Sequence, residues 1–232
     1  MAPANYLHGT ETIQRDNSPR QIATVKSAVI GLIGTAPIGP VNKPTLVLSE
    51  RDAAQFGNDK TTSGGFTIPQ AINAIYDQGA GTIIAINVLD PTRHKTAIMA
   101  EAVTLTGDSG VLAKRNIVAG SVVVKNQAAT TTHVENTDYI IDYAAGTITR
   151  KGAAIANGAS LKIDYAYADP SKVTAVDVQG QIDAATGARS GIKALNDCFN
   201  LFGFDAKILI CPGYATKGAT GVAPDLIAAA AA

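Results

Sequence analysis

The apolar positions of this chain change texture twice along its length. Ala28, Val29, Ile30, Gly31, Leu32 and Ile33 form a nearly unbroken apolar run closed by Gly34, the pattern of a strand covered on both faces. Residues 45–48 read as a second strand and residues 82–89 as a third, stopped by Asp90-Pro91. Between them, Ser49 stands as an N-cap with Asp52 three residues on. That opens a short helix through Ala53, Ala54 and Phe56, which Gly57 ends. Ile68, Ile72, Ile75 and Tyr76 fall at helical spacing, with Pro69 in the first turn and Gly79 at the close. Strand, helix, helix, strand in this order predicts a mixed or mostly parallel sheet with flanking helices.

After residue 95 the runs shorten and alternate. Residues 103–105, 117–118, 121–124, 139–143, 147–149 and 161–167 are separated by Gly, Asn and Asp, as in an antiparallel sandwich or small barrel. Asp142 to Thr147 reads as a hairpin, with Gly146 supplying the positive φ of its turn. The stretch Asp164-Tyr165-Ala166-Tyr167 puts aromatics on one strand face and polar groups on the other. From about residue 173 the helical period returns. Ile192, Leu195, Phe199 and Phe202 line one expected face, Gly203 caps it, and residues 206–210 form another apolar strand. The fold class expected is therefore an α/β core domain, a mixed sheet with flanking helices, interrupted by an inserted antiparallel β-sandwich or barrel domain. The core domain takes residues 25–98 and 174–232, and the inserted β domain residues 99–173.

Residues 1–24 differ from both. Leu7, the alternation Thr10-Glu11-Thr12-Ile13 and Ile22 have strand character but little apolar surface, too little to offset an ordering cost of about 1–2 kcal/mol per residue. An extended N-terminal arm is expected, with Tyr6, Leu7, His8, Gly9, Thr10, Glu11, Thr12 and Ile13 pairing their backbone on a neighbouring subunit by strand exchange. At the other end, Pro224-Asp225-Leu226-Ile227 opens a helix that runs into alanines without a stop signal. The expectation is a truncated form of a longer protein.

Composition narrows the function classes. The 232 residues carry 19 Lys+Arg and 19 Asp+Glu, a formal net charge of zero. That argues against nucleic-acid binding, which needs a basic footprint, and against a polybasic membrane-surface protein. It leaves little self-repulsion to oppose assembly. No run approaches the roughly 20 apolar residues that cross a bilayer, and the first residues do not have the pattern of a secretory signal. Cys198 and Cys211 are too few for a disulfide framework, so folding in a reducing cytoplasm is expected.

Candidate chemistry is sparse. Gly31 to Gly39 follows a strand but matches neither Gly-x-Gly-x-x-Gly nor a Gly-Lys-Ser/Thr phosphate loop. Pro37 and Pro40 remove N–H donors a phosphate would need, so the glycines are read as turn and packing residues. Cys198 and Cys211 read as small buried hydrophobes. His8, His94 and His133 are scattered and have no short metal-ligand spacing. Glu50, Asp52 and Asp59 read as caps and solvated charges. Tyr139, Tyr143, Tyr165 and Tyr167 could line a carbohydrate groove but sit as cross-strand packing residues would. No catalytic residues, cofactor site or metal site are expected.

Several segments, in order, resemble the contractile tail sheath proteins of bacteriophages (P2/Mu-like or prophage-derived). These are His8-Gly9 with the alternating residues after it, Ala28 to Pro37, Gly81 to Val88, and Ile208-Leu209-Ile210-Cys211-Pro212-Gly213-Tyr214. The resemblance implies a structural subunit that stacks as hexameric rings around a tail tube and contracts to drive the tube through a host envelope. It implies self-association through the arms, with the tail tube, baseplate and tail terminator proteins as further partners, and neither nucleic acid nor membrane insertion. It places the protein in the virion tail, assembled in the host bacterial cytoplasm. It also implies a C-terminal sheath domain beyond Ala232, without which residues 1–232 are expected to fold but not to build sheath. The alternatives are a virion receptor- or carbohydrate-binding module and an α/β enzyme with a β-sandwich substrate domain.

Overall fold

The computed structural model describes residues 29–57, 65–79, 81–216 and 221–231. Three strands of a mixed sheet form where the apolar runs demand them: β1 (Ile30–Gly34), β2 (Thr45–Val47) and β3 (Ile83–Asn87). A fourth, β11 (Ile208–Ile210), arrives from the far end of the chain. The order is β11-β1-β3-β2, with β11 and β3 parallel to β1 and β2 antiparallel to β3. All five residues of β3 are buried, which is why Ile83 to Ile86 are continuously apolar and not alternating; the fifth, Asn87, is polar and hydrogen-bonded.

Each face of this sheet has its own cover. On one face Leu32, Val47, Ile83 and Ala85 pack against Phe56, Ile68 and Ile72. These come from a 3-10 turn (Ala54–Phe56), which follows α1 (Glu50–Ala53), and from α2 (Thr67–Asp77). Ser49 caps α1 by accepting from the Asp52 N–H at 3.3 Å, as its spacing predicts. The other face presents Ile33, Ile84 and Ile86 to Val178, Ile192, Leu195, Cys198 and Val222. Those residues belong to α3 (Ala175–Gln179), a 3-10 segment (Gly191–Asp197), α4 (Cys198–Phe202) and the cap of α5 (Ala223–Ala230).

One face assignment is corrected here. Phe199 points to solvent at 62% exposure, whereas Cys198 is buried. Residues 191–197 are 3-10 and not α, so the buried stripe advances every three residues, through 192, 195 and 198. The switch to α geometry at Cys198 then passes the stripe to half-buried Phe202.

Strands between residues 95 and 168 pair only among themselves. One antiparallel sheet has the order β4-β10-β6-β7, where β4 is Lys95–Thr104, β6 is Val123–Asn126, β7 is Thr132–His133 and β10 is Ser160–Ala168. The second is β5-β9-β8, from Ser109–Val111, Thr147–Arg150 and Tyr139–Asp142. Both sheets give side chains to a single cluster that includes Val103, Val124, Tyr139, Ile148, Leu161 and Ile163. The β8–β9 turn is the expected hairpin, with Gly146 at φ 68° and its N–H donating to the Asp142 carbonyl at 2.8 Å. The ends of β4 and β10 lie side by side, Lys95 opposite Ala168, and the Asp169 N–H donates to the His94 carbonyl at 3.0 Å.

Candidate functional site

The most chemically suggestive place in an α/β sheet is the carboxyl end of its parallel strands. Here that place is filled by the protein's own groups. The Thr35 N–H donates to Thr67 Oγ1 at 3.0 Å, the Thr67 N–H donates to Thr35 Oγ1 at 3.2 Å, and the Ile68 N–H donates to the Thr35 carbonyl at 2.9 Å. The donors at the start of α2 that could cradle an anion are thus spent on the β1 turn. Gly34 is required for this approach, because a Cβ there would collide with Thr67 Oγ1. Beside it, the buried Asn87 carboxamide accepts from the Ala36 N–H at 2.9 Å and the Leu89 N–H at 3.1 Å. Its Nδ2 donates to the Ala36 carbonyl at 3.3 Å. Asn87 therefore staples the loops after β1 and β3 together.

Against these loops lies an apolar groove of about 460 Å³, lined by Pro37, Ile38, Leu89, Pro91, Ile117 and Tyr143 among others. It carries no ionisable group except Tyr143, whose hydroxyl donates to Glu135 Oε1 at 2.7 Å. Burial, followed by the hydrogen bond to Glu135, raises the pKa of that phenol above its ordinary value.

Cys198 and Cys211 are both free and buried. Burial first, and the nearby Asp205 and Asp197 carboxylates second, push the Cys198 thiol up to about 11. Burial alone lifts Cys211 to about 12. Neither is a thiolate near neutrality, the form a nucleophile requires. Among the described residues, no group of three or more His, Cys, Asp or Glu side chains could hold a metal ion.

The two described histidines act structurally. His94 Nδ1 accepts from the Asp90 N–H at 3.0 Å while Nε2 lies 3.5 Å from Asp177 Oδ1. Asp177 also accepts from the Thr174 N–H at 2.9 Å and the Thr174 hydroxyl at 2.6 Å, which caps α3. Burial pushes the Asp177 carboxyl upward, but the Thr174 bonds and the nearby His94 and Arg93 hold it below its ordinary value. This cluster ties the chain leaving β3 to the helix that follows β10. His133 lies 3.8 Å from Asp138 within the antiparallel region.

The four tyrosines of the antiparallel region divide. Tyr139 and Tyr165 are core residues, and the Tyr165 hydroxyl donates to Glu101 Oε2 at 2.5 Å. Tyr167 lies under the Lys114 ammonium, 5.3 Å from the ring centre. Opposed charges pair in the same region: Lys125 with Asp164 at 2.8 Å and Arg150 with Asp108 at 2.6 Å. Glu50 and Asp52 lie at the start of α1, with Asp52 Oδ2 accepting from the Leu48 N–H at 3.1 Å. Asp59 and the arm residues Tyr6, Leu7, His8, Gly9, Thr10, Glu11, Thr12 and Ile13 lie outside the described residues.

What remains open is backbone and apolar surface. Among the described strands, β11 is paired on one side only, by β1. Around it Ile208 is 47% exposed and Ile227, on α5, is 72% exposed. Nothing in the sequence marked β11 as an edge, because edge position is a property of the assembled sheet.

Comparison with known proteins bears on this arrangement. The family model described as "Protein of unknown function UCP028589" matches residues 90–182, a span containing the whole antiparallel region. The tail sheath protein of Burkholderia phage BcepMu is 52% identical over 221 residues, covering 94% of this chain and 46% of that protein. The tail sheath protein of Escherichia phage P2 is 28% identical over 94 residues, covering 38% of this chain and 22% of that protein. The chain thus spans less than half the length of either relative. Over the 221 residues that align, the chain is similar to a phage tail sheath protein.

Proposed function

We propose that the protein is a structural subunit of a contractile phage tail sheath, polymerising around the tail tube and contracting without an active site of its own. The observation that carries this reading is the 52% identity to the BcepMu tail sheath protein across nearly the whole chain. The spent donors after β1 and the protonated cysteines are in keeping with a structural role. In this reading the subunits stack as hexameric rings and the arm residues Tyr6–Ile13 add strands to neighbouring copies. The tube, baseplate and tail terminator proteins are the other partners, and assembly takes place in the host cytoplasm before the tail joins the virion.

The subunit is organised as an α/β core interrupted by an inserted β domain. Two features support that division: the separate apolar clusters of the mixed sheet and of residues 95–168, and the side-by-side entry and exit at Lys95 and Ala168. Electron microscopy of the full-length gene product tests the function. Striated tubes are expected, and they should be lost when residues 1–24 are removed. A full-length protein that stays monomeric at high concentration, alone and with its tube protein, overturns it.

A further inference from the structure

We propose that β11 is an interior strand of the complete protein's mixed sheet, and that a further strand of the same polypeptide, following α5, lies parallel to it on its open side. The argument begins with the crossovers the sheet already contains. The chain moves from β1 to β3 with α2 packed on one face. It then returns from β3 past β1 to β11, with the 3-10 segment 191–197 and α4 packed on the opposite face. Opposite directions on opposite faces mean one handedness for both crossovers, as expected for parallel connections in a sheet.

α5 follows β11 and packs on the second face, where Leu226 and Ala229 join the cluster of Ile192 and Leu195. A crossover of the same hand on that face continues in the direction β3 to β11, away from β1. The position it reaches is the open side of β11.

That side is prepared for a partner. The Ile208 N–H donates to the Val29 carbonyl at 3.2 Å. By strand alternation, the Leu209 N–H and carbonyl face away from β1. Ile208 is half exposed on one face of the sheet. On the other face a cavity of about 440 Å³ opens between Leu195, Phe199, Ala206, Leu209 and Ala229. A strand beside β11 would cover both with its alternate side chains. The chain covers 46% of its BcepMu relative, so a protein of that length holds ample chain to supply it. The inference rests on sheet topology and on that length, not on the assembly reading.

Hydrogen exchange at the Leu209 amide tests it, comparing the full-length gene product with residues 1–232 at concentrations below and above the onset of assembly. Exchange is expected to be at least about tenfold slower in the full-length protein at both concentrations. Ile208→Asp is a second measurement: it should lower the melting temperature of the full-length protein clearly more than that of residues 1–232. Equal exchange in both proteins overturns the proposal. So does protection that appears only above the onset of assembly, which would assign the edge to a neighbouring copy and leave the sheath reading standing.

Discussion

Asn87 holds the mixed sheet's carboxyl end with one side chain: it is buried, and its two amide atoms serve four backbone groups of the loops after β1 and β3. Asn87→Leu keeps the branched heavy-atom shape and strands those groups, each at a cost of about 1–3 kcal/mol. A lowered urea midpoint with an unchanged m-value is the expected result. Gly34→Ala drives a methyl into Thr67 Oγ1 and should destabilise by more than about 1 kcal/mol. Adding Thr67→Ala should recover part of that loss, so the two changes are expected to be non-additive in a double-mutant cycle. Acid sensitivity is also a residue-scale property. The Lys125 and Ala100 hydrogen bonds hold the Asp164 carboxyl below its ordinary value of 3.8. Asp177 is lowered too, its Thr174 bonds outweighing burial. A carboxylate whose folded pKa lies below its unfolded pKa stabilises fully above the unfolded value and loses that stabilisation as pH falls through the folded one. The unfolding midpoint should therefore be flat around neutrality and fall below about pH 4. Asp164→Asn should make that fall shallower. None of these roles could be read from the chain, because Asn87 is only a polar residue at a strand end until the two loops meet.

Strand β4 shows why some elements were legible and others not. β1, β3 and α2 announce themselves through continuous or helix-spaced apolar residues, and they form within two residues of the expected positions. β4 starts at Lys95, well before the expected run at 103–105, because Ala97, Met99, Ala100, Glu101 and Ala102 are helix formers in local preference. Pairing with the apolar β10 overrides that preference. The partnership includes a bulge: Ile163 opposes Glu101 but Tyr165 opposes Ile98. The extra residue is accommodated with Ala100 at φ 53° and its N–H donating to Asp164 Oδ1 at 2.6 Å. Left-handed backbone costs a residue with a Cβ about 1–2 kcal/mol, so Ala100→Gly should raise stability by up to about 1 kcal/mol, read as a higher thermal midpoint. The bulge also blunts the long outer edge of β4 against pairing with other chains. The order of textures, α/β then short alternating runs then α/β, was readable from punctuation alone. The 3-10 geometry of residues 191–197 was not, because 3.0 and 3.6 residues per turn diverge too little over seven residues to separate by pattern.

At the scale of the whole molecule, the antiparallel region is joined to the rest through two neighbouring connections. Lys95 and Ala168 face each other across a ladder, where Cα atoms of opposed residues lie about 4.5–5.5 Å apart. Replacing residues 95–168 with a linker of two or three glycines should therefore leave a mixed sheet that still unfolds cooperatively. The excised segment should fold alone around its own core, with both products followed by circular dichroism and urea titration. Loss of cooperative unfolding in both would show that the two parts are one folding unit. In the proposed sheath subunit, whose neighbours would shift on contraction, that doorway has a mechanical meaning. Asp90 is tied to Asp177 through His94 and the cap of α3, a bypass around the 86 residues between them, and tension along the mixed sheet would take that route. On the proposed division the antiparallel region lies off that route, and a change in its size or shape should leave the strut unaltered.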